Sequence, residues 1–105
     1  MLGVRPGVDI RPDAGGKVTG GIGGLSVTPD DPARLPPHIR PARLGGRGKL
    51  PVFEIQVATF GPALQYRRDG DHPDRHGFVE PASVTTLDAY QSSLGATQEN
   101  WKVFT

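Results

Sequence analysis

Apolar positions come in short bursts separated by glycine and proline, and no burst holds a regular period for long. Residues 2–10 alternate weakly, interrupted by Pro6 and Gly7, and predict a short edge strand, where proline is tolerated. Residues 13–16 read as a turn, 17–19 as a short strand, and the glycine cluster 20–24 as a loop leading into Leu25, Ser26 and Val27. The clearest strand pattern is 51–57, with Val52, Phe53, Ile55 and Val57 apolar and the charges kept to one face. A second short strand is predicted at 64–67, a charged turn at 68–75, and a third strand at 76–81, ended by Pro81.

Residues 28–48 carry Pro29, Pro32, Pro36, Pro37 and Pro41. No ordinary helix survives that density, because each proline removes a donor and restricts its predecessor. A loop of about twenty residues is expected, long enough to be functional or mobile. One helix is predicted over 84–97, with Thr85 as N-cap and Asp88 three residues on. Leu87, Tyr90, Gln91 and Leu94 then share a face. Gly95 ends it, or it runs on to about Glu99, and residues 101–104 return as a strand or hydrophobic tail. The fold class is α+β: mostly short antiparallel strands in a split sheet, one C-terminal helix and a long Pro-rich loop.

Composition narrows the picture. A chain of 105 residues is expected to form one small domain around one modest core. With 15 glycines, 11 prolines and 35% hydrophobic residues it sits near the disordered regime, but the clustering of its apolar residues favours folding. A net charge of +1 sets up no broad field toward nucleic acid or a membrane surface, and neither DNA nor a membrane is expected as a partner. The absence of cysteine excludes disulfides, thiolate metal sites and a cysteine nucleophile. No apolar run suits a signal peptide or a membrane span of roughly 20 residues.

Candidate chemistry sits in four places. On a strand, His76, Phe78 and Glu80 point to one face, where an aromatic ring beside a carboxylate suits a nucleotide-like ligand; a solvated face with a stray ring is the plainer alternative. Gly23 and Gly24 permit close backbone approach next to the Ser26 hydroxyl, but the segment lacks a phosphate-loop pattern and reads equally as a hairpin turn. Asp69, Asp71, His72, Asp74 and His76 resemble metal ligands only superficially; their spacing does not match a calcium loop, and a solvated acidic turn explains them better, so no metal site is assigned. The loop carrying Arg34, His38, Arg40, Arg43, Arg47 and Lys49 concentrates positive charge that suits phosphates of RNA or of a dinucleotide, but it lacks the aromatic interleaving of single-strand binders, and an ordinary charged loop is the favoured alternative.

In order, the segments Arg5-Pro6-Gly7 with Asp9, residues 23–27, Pro36 with His38 and Pro41, residues 64–66, residues 76–81 and the following helix resemble those of ADP-ribosyltransferase-like toxin domains from bacterial secretion-system effectors. The resemblance implies an NAD cleft between two small sheets and transfer of ADP-ribose to a target, or hydrolysis of NAD. It assigns Arg5, Ser26, Tyr66 and Phe78 to NAD binding, and Glu80, Ser26 and His76 to catalysis. Arginine would pair with the pyrophosphate, and the glutamate would stabilise the oxocarbenium-like cation. It further implies delivery into a target-cell cytoplasm, a cognate immunity protein, and a protein or RNA target. The pattern departs from the family where Phe78 replaces the acidic or amide partner of the late glutamate, and where Val27 follows Ser26.

Two other readings compete. A metal-free ribonuclease toxin would use His38, His72 or His76 as general acid and base, and requires two histidines to converge near the basic loop. A non-catalytic immunity or adaptor module requires no cleft. The NAD reading requires Glu80 and Arg5 to line a common one.

Overall fold

The structure, a computed structural model, describes residues 3, 4, 7 and 9–104. Its strands are β1 (Lys17–Val18), β2 (Leu25–Val27), β3 (Phe53–Glu54), β4 (Leu64–Arg68), β5 (Gly77–Pro81), β6 (Thr85–Thr86) and β7 (Lys102–Val103), with one helix, α1 (Leu87–Ala96), between the last two. They form three small antiparallel sheets, ordered β1-β6, β2-β5-β4 and β3-β7. The α+β class with a split sheet and a single helix is therefore what the chain adopts.

The central sheet is built on the β4–β5 hairpin. Alternation places Leu64 and Tyr66 on the same side as Val79 and Pro81, toward the core, and Gln65, Arg67, Phe78 and Glu80 on the other. Gly77 is required here, because a Cβ would lie 2.5 Å from the Tyr66 ring. Beyond the ladder the Asp69 N–H donates to the His76 carbonyl at 3.0 Å, and the Asp69 carboxylate accepts the Asp71 N–H, so the acidic connection 69–76 is a tight hydrogen-bonded turn.

Helix α1 covers the core side. Val4, Ile10, Val18, Phe60, Leu64, Val79, Tyr90 and Leu94 form the buried cluster, each removing apolar area from water at about 25 cal/mol per Å². The Tyr90 hydroxyl donates to the Val79 carbonyl and accepts the Leu25 N–H at 3.1 Å. Leu25 and Val79 are cross-strand partners, so this hydroxyl is inserted into the β2–β5 ladder. Gly24, at φ 151°, makes room for it: a Cβ would meet the Val79 carbonyl oxygen at 2.6 Å and the Tyr90 oxygen at 3.1 Å. The close approach expected of the glycine loop is thus made to the protein's own backbone.

Two local expectations are corrected. The helix starts one residue later than its capping pattern suggested: Thr86 is the N-cap, accepting the Ala89 N–H at 3.1 Å, while Thr85 belongs to β6. The 51–57 strand shrinks to two residues and gives way to a 3-10 turn at Val57–Thr59. Its apolar residues find no common buried face, with Phe53 and Val57 more than half exposed and only Ile55 packed on the core. The Pro-rich loop is ordered by its own bonds, with 3-10 turns at Pro32–Arg34 and Ala42–Leu44 and backbone bonds Arg47 to Pro37 and Gly48 to Arg40. Of the edge strand expected at 2–10, residues 2, 5, 6 and 8 lie outside the described residues; among the described ones Ile10 bridges Gly23.

Candidate functional site: a basic cleft beside a carboxylate–histidine pair

The Pro-rich loop folds against the 69–76 turn and encloses a cleft of about 800 Å³. Arg34 ties the two together through the Asp74 carbonyl at 3.2 Å, and Arg68 binds Asp30 at 2.8 Å and the Pro73 carbonyl at 2.8 Å. The Asp30 bond holds the Arg68 guanidinium above its usual pKa. Arg34, Arg40 and Arg75 line the cleft with His72 and His76, and Asp74 is the one carboxylate among the lining residues. Arg40 donates through Nη1 to the Ala33 carbonyl at 2.8 Å, while its Nε is buried with no partner among the described residues. A buried donor without an acceptor costs about 1–3 kcal/mol, which a bound anion would recover.

His76 is the most constrained of the lining groups. Its Nδ1 lies 2.8 Å from Asp69 Oδ2, and its ring meets Phe78 edge-on at 4.7 Å. That bond, with the Asp71 N–H, holds the Asp69 carboxyl below its usual range. The carboxylate therefore accepts, Nδ1–H donates, and Nε2 is the nitrogen able to take a proton. His72 reaches the same cleft one turn earlier, its backbone carbonyl accepting the His76 N–H at 2.9 Å. His38 is exposed and is not among the lining residues.

Glu80 lies elsewhere. It is fully buried, with Oε1 accepting from Arg67 Nε at 2.7 Å and Oε2 from the Gly21 N–H at 2.5 Å. A Cβ on Gly20 would come within 2.7 Å of Oε2, so the glycine loop closes directly over the carboxylate. Arg67 in turn lies 4.6 Å over the Phe78 ring. Ser26 is exposed and pairs with Phe78 across the ladder, which puts Ser26, Phe78, Arg67 and Glu80 on one sheet face. Tyr66 faces the opposite way, its hydroxyl buried with no hydrogen-bond partner among the described residues and its pKa raised, chiefly by desolvation. Arg5 lies outside the described residues.

The fold thus brings together His72, His76 and the basic loop, and separately Ser26, Phe78 and Glu80; it does not bring Tyr66 to either group. Among the described residues no three of the acidic or histidine side chains are placed to hold a metal ion, and no helix is long and apolar enough to cross a membrane. Sequence reasoning did not single out Arg67 or Arg75, nor Asp69 as the partner of His76. Alternation along a paired hairpin 64–68/77–81 carries the signal for Arg67, because it sets Arg67 opposite Phe78. Compared with protein-family models, curated proteins and solved structures, the chain matches none of them.

Proposed function

We propose that the chain is a bacterial toxin domain that cleaves RNA, with the scissile phosphate held in the cleft between the Pro-rich loop and the 69–76 turn. The observation that supports this is the meeting of His72 and His76 with Arg34, Arg40 and Arg75 in one cleft that Glu80 does not line. In this reading His76 Nε2 takes the proton from a ribose 2′-hydroxyl, and the 2′-oxygen attacks phosphorus. The bond from phosphorus to the 5′-oxygen then breaks, and His72 delivers a proton to the departing oxygen. The arginines stabilise the extra negative charge on the phosphoryl oxygens as it develops. Asp69 keeps the His76 ring in the tautomer that leaves Nε2 free. The products are a 2′,3′-cyclic phosphate and a 5′-hydroxyl.

A second reading, NAD-dependent ADP-ribosyl transfer or NAD hydrolysis, is favoured by the common face of Ser26, Phe78 and Glu80. It requires the Glu80 carboxylate to exchange its bonds to Arg67 and Gly21 for substrate. Either activity goes with delivery into a target-cell cytoplasm and a cognate immunity protein in the producing cell. The test is incubation of the purified chain with single-stranded RNA and, separately, with NAD. Cyclic-phosphate ends lost in His76→Ala and kept in Ser26→Ala support the first reading. Release of nicotinamide with intact RNA supports the second. Neither product leaves a non-catalytic binding module.

A further inference from the structure

Arg67 is held on two sides yet open on the rest. Its Nε is bonded to the buried Glu80 carboxylate, and its guanidinium carbon lies 4.6 Å from the Phe78 ring centroid. The side chain remains 37% exposed, and among the described residues Glu80 is its only hydrogen-bond partner. A guanidinium carries five donors in a planar fork, so four donors remain beyond the one given to Glu80 among the described residues, on a side chain that is part-exposed. Holding the plane in advance removes much of the entropy cost of binding against it. Phe78, beneath Arg67, meets His76 edge-on, and His76 lines the basic cleft. The stack of Glu80, Arg67, Phe78 and His76 therefore runs continuously from the closed glycine loop to the cleft. Ser26 borders it, exposed and opposite Phe78.

We infer that Arg67, braced by Glu80 and Phe78, is a nucleobase-stacking subsite that takes the base adjoining the phosphate held in the cleft. The inference rests on the reading of the cleft as a nucleotide-phosphate site and extends it to the base. Bases stack on arginine planes and aromatic rings without strong preference among the four, so the subsite selects an unpaired base over a duplex rather than one sequence. Glu80 is then a positioning residue, acting through Arg67. The same chemistry is offered by a base of single-stranded RNA and by the adenine of a free dinucleotide.

The experiment measures binding of two 2′-O-methyl oligonucleotides, which the proposed chemistry cannot cleave: one intact, and one abasic throughout. Native chain, Arg67→Lys and the paired variant Arg34→Ala/Arg40→Ala are compared. Lysine keeps the charge opposite Glu80 but has no plane. The intact oligonucleotide is expected to bind the native chain roughly tenfold more tightly than the abasic one, a preference Arg67→Lys abolishes. Should Arg67→Lys not fold, Phe78→Leu serves as the second variant, and the base preference is again expected to fall. A competition arm with NAD assigns the source: displacement that weakens in Arg67→Lys points to a dinucleotide base, and absence of displacement points to RNA. Equal binding of both oligonucleotides, sensitive to Arg34 and Arg40, overturns the stacking subsite and leaves the phosphate cleft standing. Absence of binding by either, or binding indifferent to the two arginines, overturns both.

Discussion

Removing the Tyr90 hydroxyl tests how the helix is fastened to the central sheet. In Tyr90→Phe the ring still fills its site, but the Leu25 N–H and the Val79 carbonyl lose the group inserted between them. Both lie in the interior, and a buried group left unpaired costs about 1–3 kcal/mol. Partial closure of the ladder offsets part of this, giving a net loss of about 2–3 kcal/mol. The acid–base behaviour of the same hydroxyl adds a pH dependence that is separate from the loss of its hydrogen bonds. Burial, with smaller contributions from the Glu80 and Asp9 charges, pushes its pKa from 10.0 up to about 12, against the lowering effect of the Leu25 N–H. Two pKa units correspond to roughly 2.7 kcal/mol by which the fold disfavours the ionised form relative to the unfolded chain. Because the folded pKa is the higher one, that stability is fully present below pH 10 and is lost as pH rises from 10 through 12. Thermal unfolding at neutral pH should therefore show Tyr90→Phe melting about 10 °C or more below the native chain. Denaturant unfolding followed from pH 9 to 12 should show the two stabilities converging, since the variant has no hydroxyl to ionise there. A variant that melts within 2 °C of native (below any shift expected from about 1 kcal/mol), or a difference that stays constant to pH 12, would refute the inserted-hydroxyl account.

Glu80→Gln replaces an acceptor that serves two donors with a group that must turn an N–H toward Arg67 or Gly21, and should cost about 3 kcal/mol in denaturant unfolding; unchanged stability would remove its role in tying the glycine loop to the hairpin. Gly77→Ala forces a Cβ onto the Tyr66 ring and should destabilise by about 1–3 kcal/mol, with lost protection of β4 and β5 amides in hydrogen exchange. The Asp69 carboxyl, held low first by its bond to His76, contributes stability that is present above about pH 4 and is lost as pH falls through its lower folded value. A carbon-detected titration of Asp69 should give a midpoint below the ordinary aspartate value, and Asp69→Asn should slow RNA cleavage roughly 100-fold by freeing the His76 ring.

Legibility in the sequence followed the range of the forces involved. The hairpin 64–81 and the helix face of Leu87, Tyr90 and Leu94 were legible because alternation and the 3.6-residue period record burial directly. The 51–57 segment misled because β-branched and aromatic residues also occupy exposed positions, and nothing in Phe53 or Val57 reports that no core lies opposite them. At the candidate site, the common face of His76, Phe78 and Glu80 followed from strand geometry. The divergence of their surroundings did not. Glu80 is closed over by Gly20 and Gly21, sixty residues earlier in the chain, while His76 opens toward a loop forty residues before it. Both outcomes depend on long-range packing that no local pattern encodes. The meeting of Arg34 and Arg40 of the basic loop with His72 and His76 is likewise created by the folded hairpin turn, at a separation no local pattern encodes.

The central claim is that a nucleotide phosphate binds among Arg34, Arg40, His72 and His76. Nuclear magnetic resonance of the labelled chain, titrated with a nucleoside 3′-phosphate, tests it most directly. The account predicts saturable shifts in the His72 and His76 ring signals and in the Arg40 Nε–H, which has no acceptor among the described residues. Shifts confined to the Gly20–Gly24 backbone and Glu80, or no saturable shift at millimolar ligand, would contradict it.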